Sequence, residues 1–276
     1  MFIKKDLRKI EEILNDPKDE RTSLKLAKRT GEFDGNISCL TRKLDALSNL
    51  TSVNLYDNSL LTLEGIGALS IAPLSELNLG CNKLTSIPLE FGKLTSLRKV
   101  WLEDNDFEEF PLSLCQLGGL ECLRMSGNKL SSLPANLNSL KNLKSIYLEN
   151  NSLTEFPRGL LELTALTSLW LRQNKIPSMP DDIDKLENLQ VLSISSNSLK
   201  VLPESVIRIG KLTKLYANGN AIEEAPRDLS AMATLMEVNL ANNRLAELPE
   251  EWLAMWGEYD RSTGKLKKEG GASDLS

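Results

Sequence analysis

The chain contains no histidine at all. That removes the commonest general base, the usual metal ligand and every histidine-dependent nucleophile arrangement. Cysteine is scarce too. Cys39, Cys81, Cys115 and Cys122 stand at unrelated spacings that fit neither a zinc site nor a disulfide framework, so no metal and no cofactor are expected and the thiols read as those of a reduced, cytoplasmic protein. No stretch approaches the roughly 20 apolar residues of a membrane span, and the N-terminus from Met1 to Lys9 never builds a signal-peptide core. Glycines lie singly, and the Gly118-Gly119 and Gly270-Gly271 pairs lack the residues that complete a phosphate-binding loop. The net charge of −5 is modest and carries no nucleic-acid signature. Residues 1–30 nevertheless hold nine Lys or Arg against six Asp or Glu, which leaves +3 there and −8 in the rest.

Aromatic residues make up only 5% of the chain, and leucine holds the repeating positions instead. The pattern Leu-x-x-Leu-x-Leu-x-x-Asn-x-Leu recurs with Asn58, Asn82, Asn105, Asn128, Asn151, Asn174, Asn197, Asn220 and Asn243 as its markers. The first interval is 24 residues and every later one 23, with prolines from Pro88 to Pro249 keeping the same step. Such a period means stacked coils and a core that grows lengthwise.

Residues 143–165 show how one coil forms. Leu143, Ile146 and Leu148 are apolar, while Ser145, Tyr147 and Glu149 alternate with them, which predicts a short strand with one buried face. Asn151 turns the chain and satisfies backbone groups of its own coil and the next, so the asparagine ladder is structural. Leu153, Phe156, Leu160 and Leu163 continue the core through a turn or short helix that Pro157 starts. Strands are expected on the inner side only. Strands about 4.8 Å apart, set against bulkier outer segments, predict a curved stack with the parallel sheet on its concave face.

The motif from Leu120 to Pro134 resembles the leucine-rich repeat family, and the resemblance runs from about residue 50 to 256. The paired cysteines that cap extracellular arrays are missing. The 23-residue step with its apolar-Pro pair is similar to the intracellular subclass that includes Ras-associated scaffolds and plant intracellular Ras-group repeats. The resemblance implies a right-handed α/β solenoid, a horseshoe with a concave parallel sheet, that recognises proteins in signalling. Leu63-Glu64-Gly65-Ile66 in the first coil is more like the repeats of phosphatase-regulating members. Ala217 and Ala225 thin the core of the eighth coil.

Three segments are expected: a helical N-terminal cap over residues 1–49, the repeats over 50–256, and a flexible tail over 257–276. In the cap, Leu7, Ile10 and Leu14 share a helical face, a second helical stretch covers about 19–29, and Ile37, Leu40, Leu44 and Leu47 complete it. Trp252 and Trp256 supply a helical C-terminal cap.

The residue between the two inward Leu-type positions of each repeat points outward and reads, in order, Asn54, Asn78, Trp101, Arg124, Tyr147, Trp170, Ser193, Tyr216 and Asn239. Four of the eight Trp and Tyr residues fall in this one column. Lys99, Glu103, Glu149, Arg172 and Lys214 flank it, a composition suited to a binding hot spot. Trp101 and Tyr216 stand five coils apart, about 24 Å at the usual strand spacing, which suits a protein or extended peptide. The competing view is that the rings only pack across strands. Carboxylates such as Glu103, Asp104 and Glu149 sit on an open, wet sheet where nothing is expected to separate their pKa values, so no enzyme is predicted. The sequence thus points to a monomeric, non-catalytic protein-interaction module with Lys99, Trp101, Glu103, Arg124, Tyr147, Glu149, Trp170, Arg172, Lys214 and Tyr216 at its binding face. Its expected partners are a small GTPase or kinase pathway. The alternatives are a phosphatase-regulatory subunit, or the target-recruiting repeats of an effector, receptor or ubiquitin ligase.

Overall fold

A computed structural model describes residues 20–26, 47–226, 232–245, 259–260 and 265–267. Two compact units divide the chain, residues 1–143 and residues 144–276. In the first, β1 (Ser23–Lys25), β2 (Ser52–Asn54), β3 (Glu76–Asn78), β4 (Lys99–Trp101) and β5 (Cys122–Arg124) form a parallel ladder. In the second, β6 (Ser145–Tyr147), β7 (Ser168–Trp170), β8 (Val191–Ser193), β9 (Lys214–Tyr216) and β10 (Glu237–Asn239) do the same. The central residue of every strand is buried, so one face of each ladder points inward and the other outward.

The return segments are short 3-10 helices, such as Leu89–Lys93, Leu112–Gln116, Arg158–Glu162 and Glu204–Arg208. Each follows a proline at its N-cap, whose fixed φ suits that position and whose missing N–H costs nothing there. Phe91, Leu114, Leu160 and Val206 seal the coils at no more than 1% exposure. Removing one such side chain from water is worth about 1.5–3 kcal/mol, and the repeat collects that gain in every coil.

The asparagine ladder does more than close a turn. Leu79 carbonyl accepts from both Asn82 and Asn105, Leu102 carbonyl from Asn105 and Asn128, and Leu171 carbonyl from Asn174 and Asn197. Asn82, Asn105, Asn128, Asn174, Asn197, Asn220 and Asn243 also accept, through Oδ1, a backbone N–H of the preceding coil, as Leu84 donates to Asn105 and Leu153 to Asn174. The ladder is therefore a chain of shared carbonyls in which neighbouring coils hold each other's polar groups.

Just before each asparagine the backbone turns left-handed. Asp57, Cys81, Asp104 and Gly127 occupy this position in one unit, and Asn150, Gln173, Ser196, Gly219 and Asn242 in the other. Gly127 has a second reason to be glycine, because a Cβ there would collide with the Asp104 carboxylate.

Three expectations change. Residues 23–25 are not part of a helix; they form β1, parallel to β2, with Leu24 and Leu26 buried. Leu-x-Leu is a strand pattern, and it was obscured because Arg29 stands where the ladder asparagine would be. The tail is not wholly flexible: β11 (Tyr259–Asp260) and β12 (Lys265–Lys267) pair antiparallel, and β12 closes the edge of β10. An open edge of unpaired N–H and C=O groups is a liability, and the tail satisfies it. Strand pairing is also not confined to the inner side, since Val201 and Glu224 form a parallel bridge between outer segments. The expected helix over 6–14, most of the stretch over 37–47, and Trp252 and Trp256 lie outside the described residues. Ala217 and Leu47 are buried.

Candidate partner-binding face

Strand register fixes the outward column directly. In the first unit Asn54, Asn78, Trp101 and Arg124 stand opposite one another in turn, and in the second Tyr147, Trp170, Ser193, Tyr216 and Asn239 do. The asparagines serve the backbone: Asn54, Asn78 and Asn239 each accept the N–H two residues on.

In residues 144–276 the rings form one stack. Tyr147 and Trp170 lie with centroids 5.8 Å apart and planes at 11°, and Trp170 and Tyr216 at 6.4 Å and 28°. The second pair is unexpected, because these residues are two strands apart and their backbones stand about 9.6 Å from each other. Their rings converge over the strand between them. Ser193, outward-facing there, keeps only 2% exposure, as does Ser195. The small Ser193 side chain on β8 thus permits the stack, and this outward-column residue stands beside the rings although the expected binding face omits it.

Tyr216 is held at its other end. Its hydroxyl donates to Glu237 at 2.9 Å, and burial, then this hydrogen bond, push the phenol well above its ordinary range. The Trp170 indole Nε1 is buried with no acceptor among the described residues. Each stacked pair contributes about 0.5–1.5 kcal/mol, so Trp170 has a share in stability as well as in the surface. Arg172 and Lys214 flank the stack and are exposed.

In residues 1–143 the flanking residues are more committed. Lys99 pairs with Glu76, directly opposite, at 2.8 Å. Glu103 turns back toward Gly80, where a Cβ would meet its carboxylate at 3.0 Å and Tyr56 at 3.1 Å. Burial raises the Glu103 carboxyl, while its own backbone N–H and the Arg124 guanidinium pull the other way. Its Oε2 has no hydrogen-bond partner among the described residues. This corrects the expectation that nothing on the sheet would move a carboxylate, because the missing side chain at position 80 leaves a recess into which the Glu103 carboxylate folds. Tyr56 is pushed up to about 12, first by its hydrogen bond with the Cys81 thiol. Cys81 in turn donates to Asp104 at 3.6 Å. Burial also raises Cys122 on the same face, so its thiol is not activated. Trp101 is half-buried and Arg124 exposed.

Among the described residues, no group of three or more His, Cys, Asp or Glu side chains could hold a metal ion, and no helix is long and apolar enough to cross a membrane.

The coil geometry, with its shared-carbonyl asparagines, defines a repeat protein, and the comparisons give its class. A model of the leucine-rich repeat region matches residues 157–250, and a leucine-rich repeat model matches residues 73–94. The chain carries leucine-rich repeats over these residues. No curated protein sequence matches it. Among solved structures it is similar to a leucine-rich-repeat protein of Leptospira interrogans, with TM-score 0.71 and 28% identity over 84% of this chain and 67% of that one. The ectodomain of the Arabidopsis receptor kinase HAESA, solved with a peptide hormone ligand, gives 0.66 and 28% over 83% of this chain and 39% of its own. Drosophila Toll in complex with Spatzle gives 0.68 and 28% over 76% of this chain and 29% of its own. The chain thus spans roughly a third of the length of these receptors.

Proposed function

We propose that the chain is a non-catalytic protein-binding module whose outward sheet face engages a partner protein through the Tyr147–Trp170–Tyr216 stack. The observation that carries this reading is the stack itself, a rigid apolar ledge on the solvent side of a sheet whose other outward positions are mostly small or polar. Rings already ordered lose little entropy on binding, which favours them as anchors. In residues 1–143, Trp101 and Arg124 offer a further outward patch. The peptide hormone on HAESA and Spatzle on Toll support a protein or peptide as the ligand class. Within that class the proposal is a monomeric, cytoplasmic signalling scaffold or adaptor serving a small-GTPase or kinase pathway. The three described cysteines, all free, accord with a reducing compartment.

Affinity capture from source cytosol tests this, with wild type beside Trp170→Ala/Tyr216→Ala, both verified as folded by circular dichroism and the bound proteins read by mass spectrometry. A partner held by wild type and lost from the variant is the expected result. Identical partner sets would remove the stack from the binding site.

A further inference from the structure

Gly80 stands on the outward face of residues 1–143 and is nevertheless buried. The ladder runs on past the named strands here, since Asp57 N–H donates to Gly80 carbonyl, Cys81 N–H to Glu103 carbonyl and Asp104 N–H to Ser126 carbonyl. Tyr56, Gly80, Glu103 and Ser126 thus form one outward row. Position 80 carries no side chain, and its neighbours lean in to cover it: a Cβ there would meet Glu103 Cδ at 3.0 Å, Glu103 Oε1 at 3.1 Å and Tyr56 Cδ2 at 3.1 Å. The Gly80 backbone is not left-handed. What glycine supplies is therefore the space.

The Glu103 carboxyl fills that space at a cost that depends on its charge. Oε2 is shut off from solvent and has no hydrogen-bond partner among the described residues. A neutral carboxyl bears such a place far better than a carboxylate, because a buried charge without a donor costs much more than a buried neutral polar group. Its own backbone N–H and the Arg124 guanidinium favour the charged form, and burial outweighs both. The other ionisable groups around the recess are Tyr56 and Asp57 from the first coil, Cys81 from the second, Asp104 next in the chain, and Cys122 from the fourth. Both thiols are raised from 9.0 and Tyr56 is pushed up to about 12, so these three stay neutral through the acid range.

We propose that Glu103 is a pH-operated latch over Gly80. Neutral, its carboxyl lies in the recess beside the Tyr56 ring. Ionised, it gives its proton to water, leaves the recess for solvent, uncovers Gly80 and brings a negative charge to the outward face two residues on from Trp101. The inward position is present at acid pH and is lost as pH rises through the folded value of the carboxyl. This device is independent of the ring stack in residues 144–276 and of any partner.

NMR of the full chain with carbon-13-labelled glutamate tests it. The Glu103 carboxyl carbon, assigned by its loss in Glu103→Gln, gives the ionisation midpoint, and nuclear Overhauser contacts from Glu103 to Gly80 and the Tyr56 ring give the side chain's position. The midpoint should lie above the ordinary 4.5, with the contacts vanishing over the same pH range. Gly80→Ala puts a methyl group where the carboxyl lies, so its midpoint should return toward 4.5 and its Glu103–Tyr56 contact should be absent at every pH. Glu103→Gln, neutral throughout, should keep the contacts at every pH. A wild-type midpoint at or below 4.5, contacts that survive ionisation of Glu103, or a Gly80→Ala midpoint as high as that of wild type would overturn the proposal. If Gly80→Ala does not fold, the other two proteins decide: the same pH-dependent loss of contacts in Glu103→Gln would assign the motion to another group and overturn it equally.

Discussion

Replacing Asn174 by alanine tests the shared-carbonyl ladder at a place where the loss can be counted. Asn174 Nδ2 donates to Leu148 carbonyl and Leu171 carbonyl, both at 3.0 Å, and its Oδ1 accepts from Leu153 N–H at 3.0 Å. The two carbonyls keep a second asparagine each, Asn151 and Asn197 respectively. The Leu153 N–H keeps nothing. One buried donor left unmet costs about 1–3 kcal/mol, and each of two lost bonds to a still-satisfied carbonyl about 0.5–1.5 kcal/mol. The expected loss is roughly 2–6 kcal/mol. Urea denaturation of Asn174→Ala beside Asn188→Ala measures it; Asn188 donates to Thr164 carbonyl at 2.9 Å and accepts from Lys211 Nζ at 2.6 Å, both exposed bonds whose groups water can satisfy, and should cost about 1 kcal/mol or less. Adding Asn197→Ala strips Leu171 carbonyl of both partners, so the double variant should lose about 1–2 kcal/mol more than the sum of the singles. A single-variant loss equal to that of Asn188→Ala, or strict additivity in the double, would refute the account of the ladder as shared groups.

Ser193→Trp should force the Trp170 and Tyr216 rings apart, since Ser193 is covered to 2% exposure beneath them. The near-UV circular dichroism of the stack should change and partner affinity should fall at least tenfold, with a stability loss of about 0.5–1.5 kcal/mol for the separated pair. Glu103→Gln should raise the thermal midpoint at neutral pH. The Glu103 carboxyl is raised by burial, so its contribution to stability is fully present below the ordinary 4.5 and is lost as pH rises through the folded value. The variant should therefore lack the gain that wild type shows on acidification, and a gain of equal size in both would exclude Glu103 as its source. Tyr56 stands at about 12 against the usual 10.0, so its stabilising effect is present below pH 10 and disappears as pH rises toward 12. Wild type should lose more stability than Tyr56→Phe across that window, with phenolate absorbance marking the late proton; parallel curves would mean that the Cys81 contact is not kept in solution.

The repeat, the strands of the nine asparagine-marked coils, the direction in which their side chains point and the role of the asparagines are legible in the sequence. Each depends on a short-range period: a residue between two buried leucines of a repeat must face outward, which puts Trp101, Tyr147, Trp170 and Tyr216 in one column. Tertiary structure alone decided what those columns do. Trp170 and Tyr216 touch because Ser193 is small and rings can lean across a strand, a fact of packing and not of period. Glu103 folds inward because Gly80, in the adjacent coil, leaves a recess. β1 and the β11–β12 hairpin lack the asparagine pattern, and they are strands because neighbouring edges offer them backbone partners. Local periodicity fixes which face a residue occupies; only the stacked neighbour 23 residues or more away fixes whether it is free there.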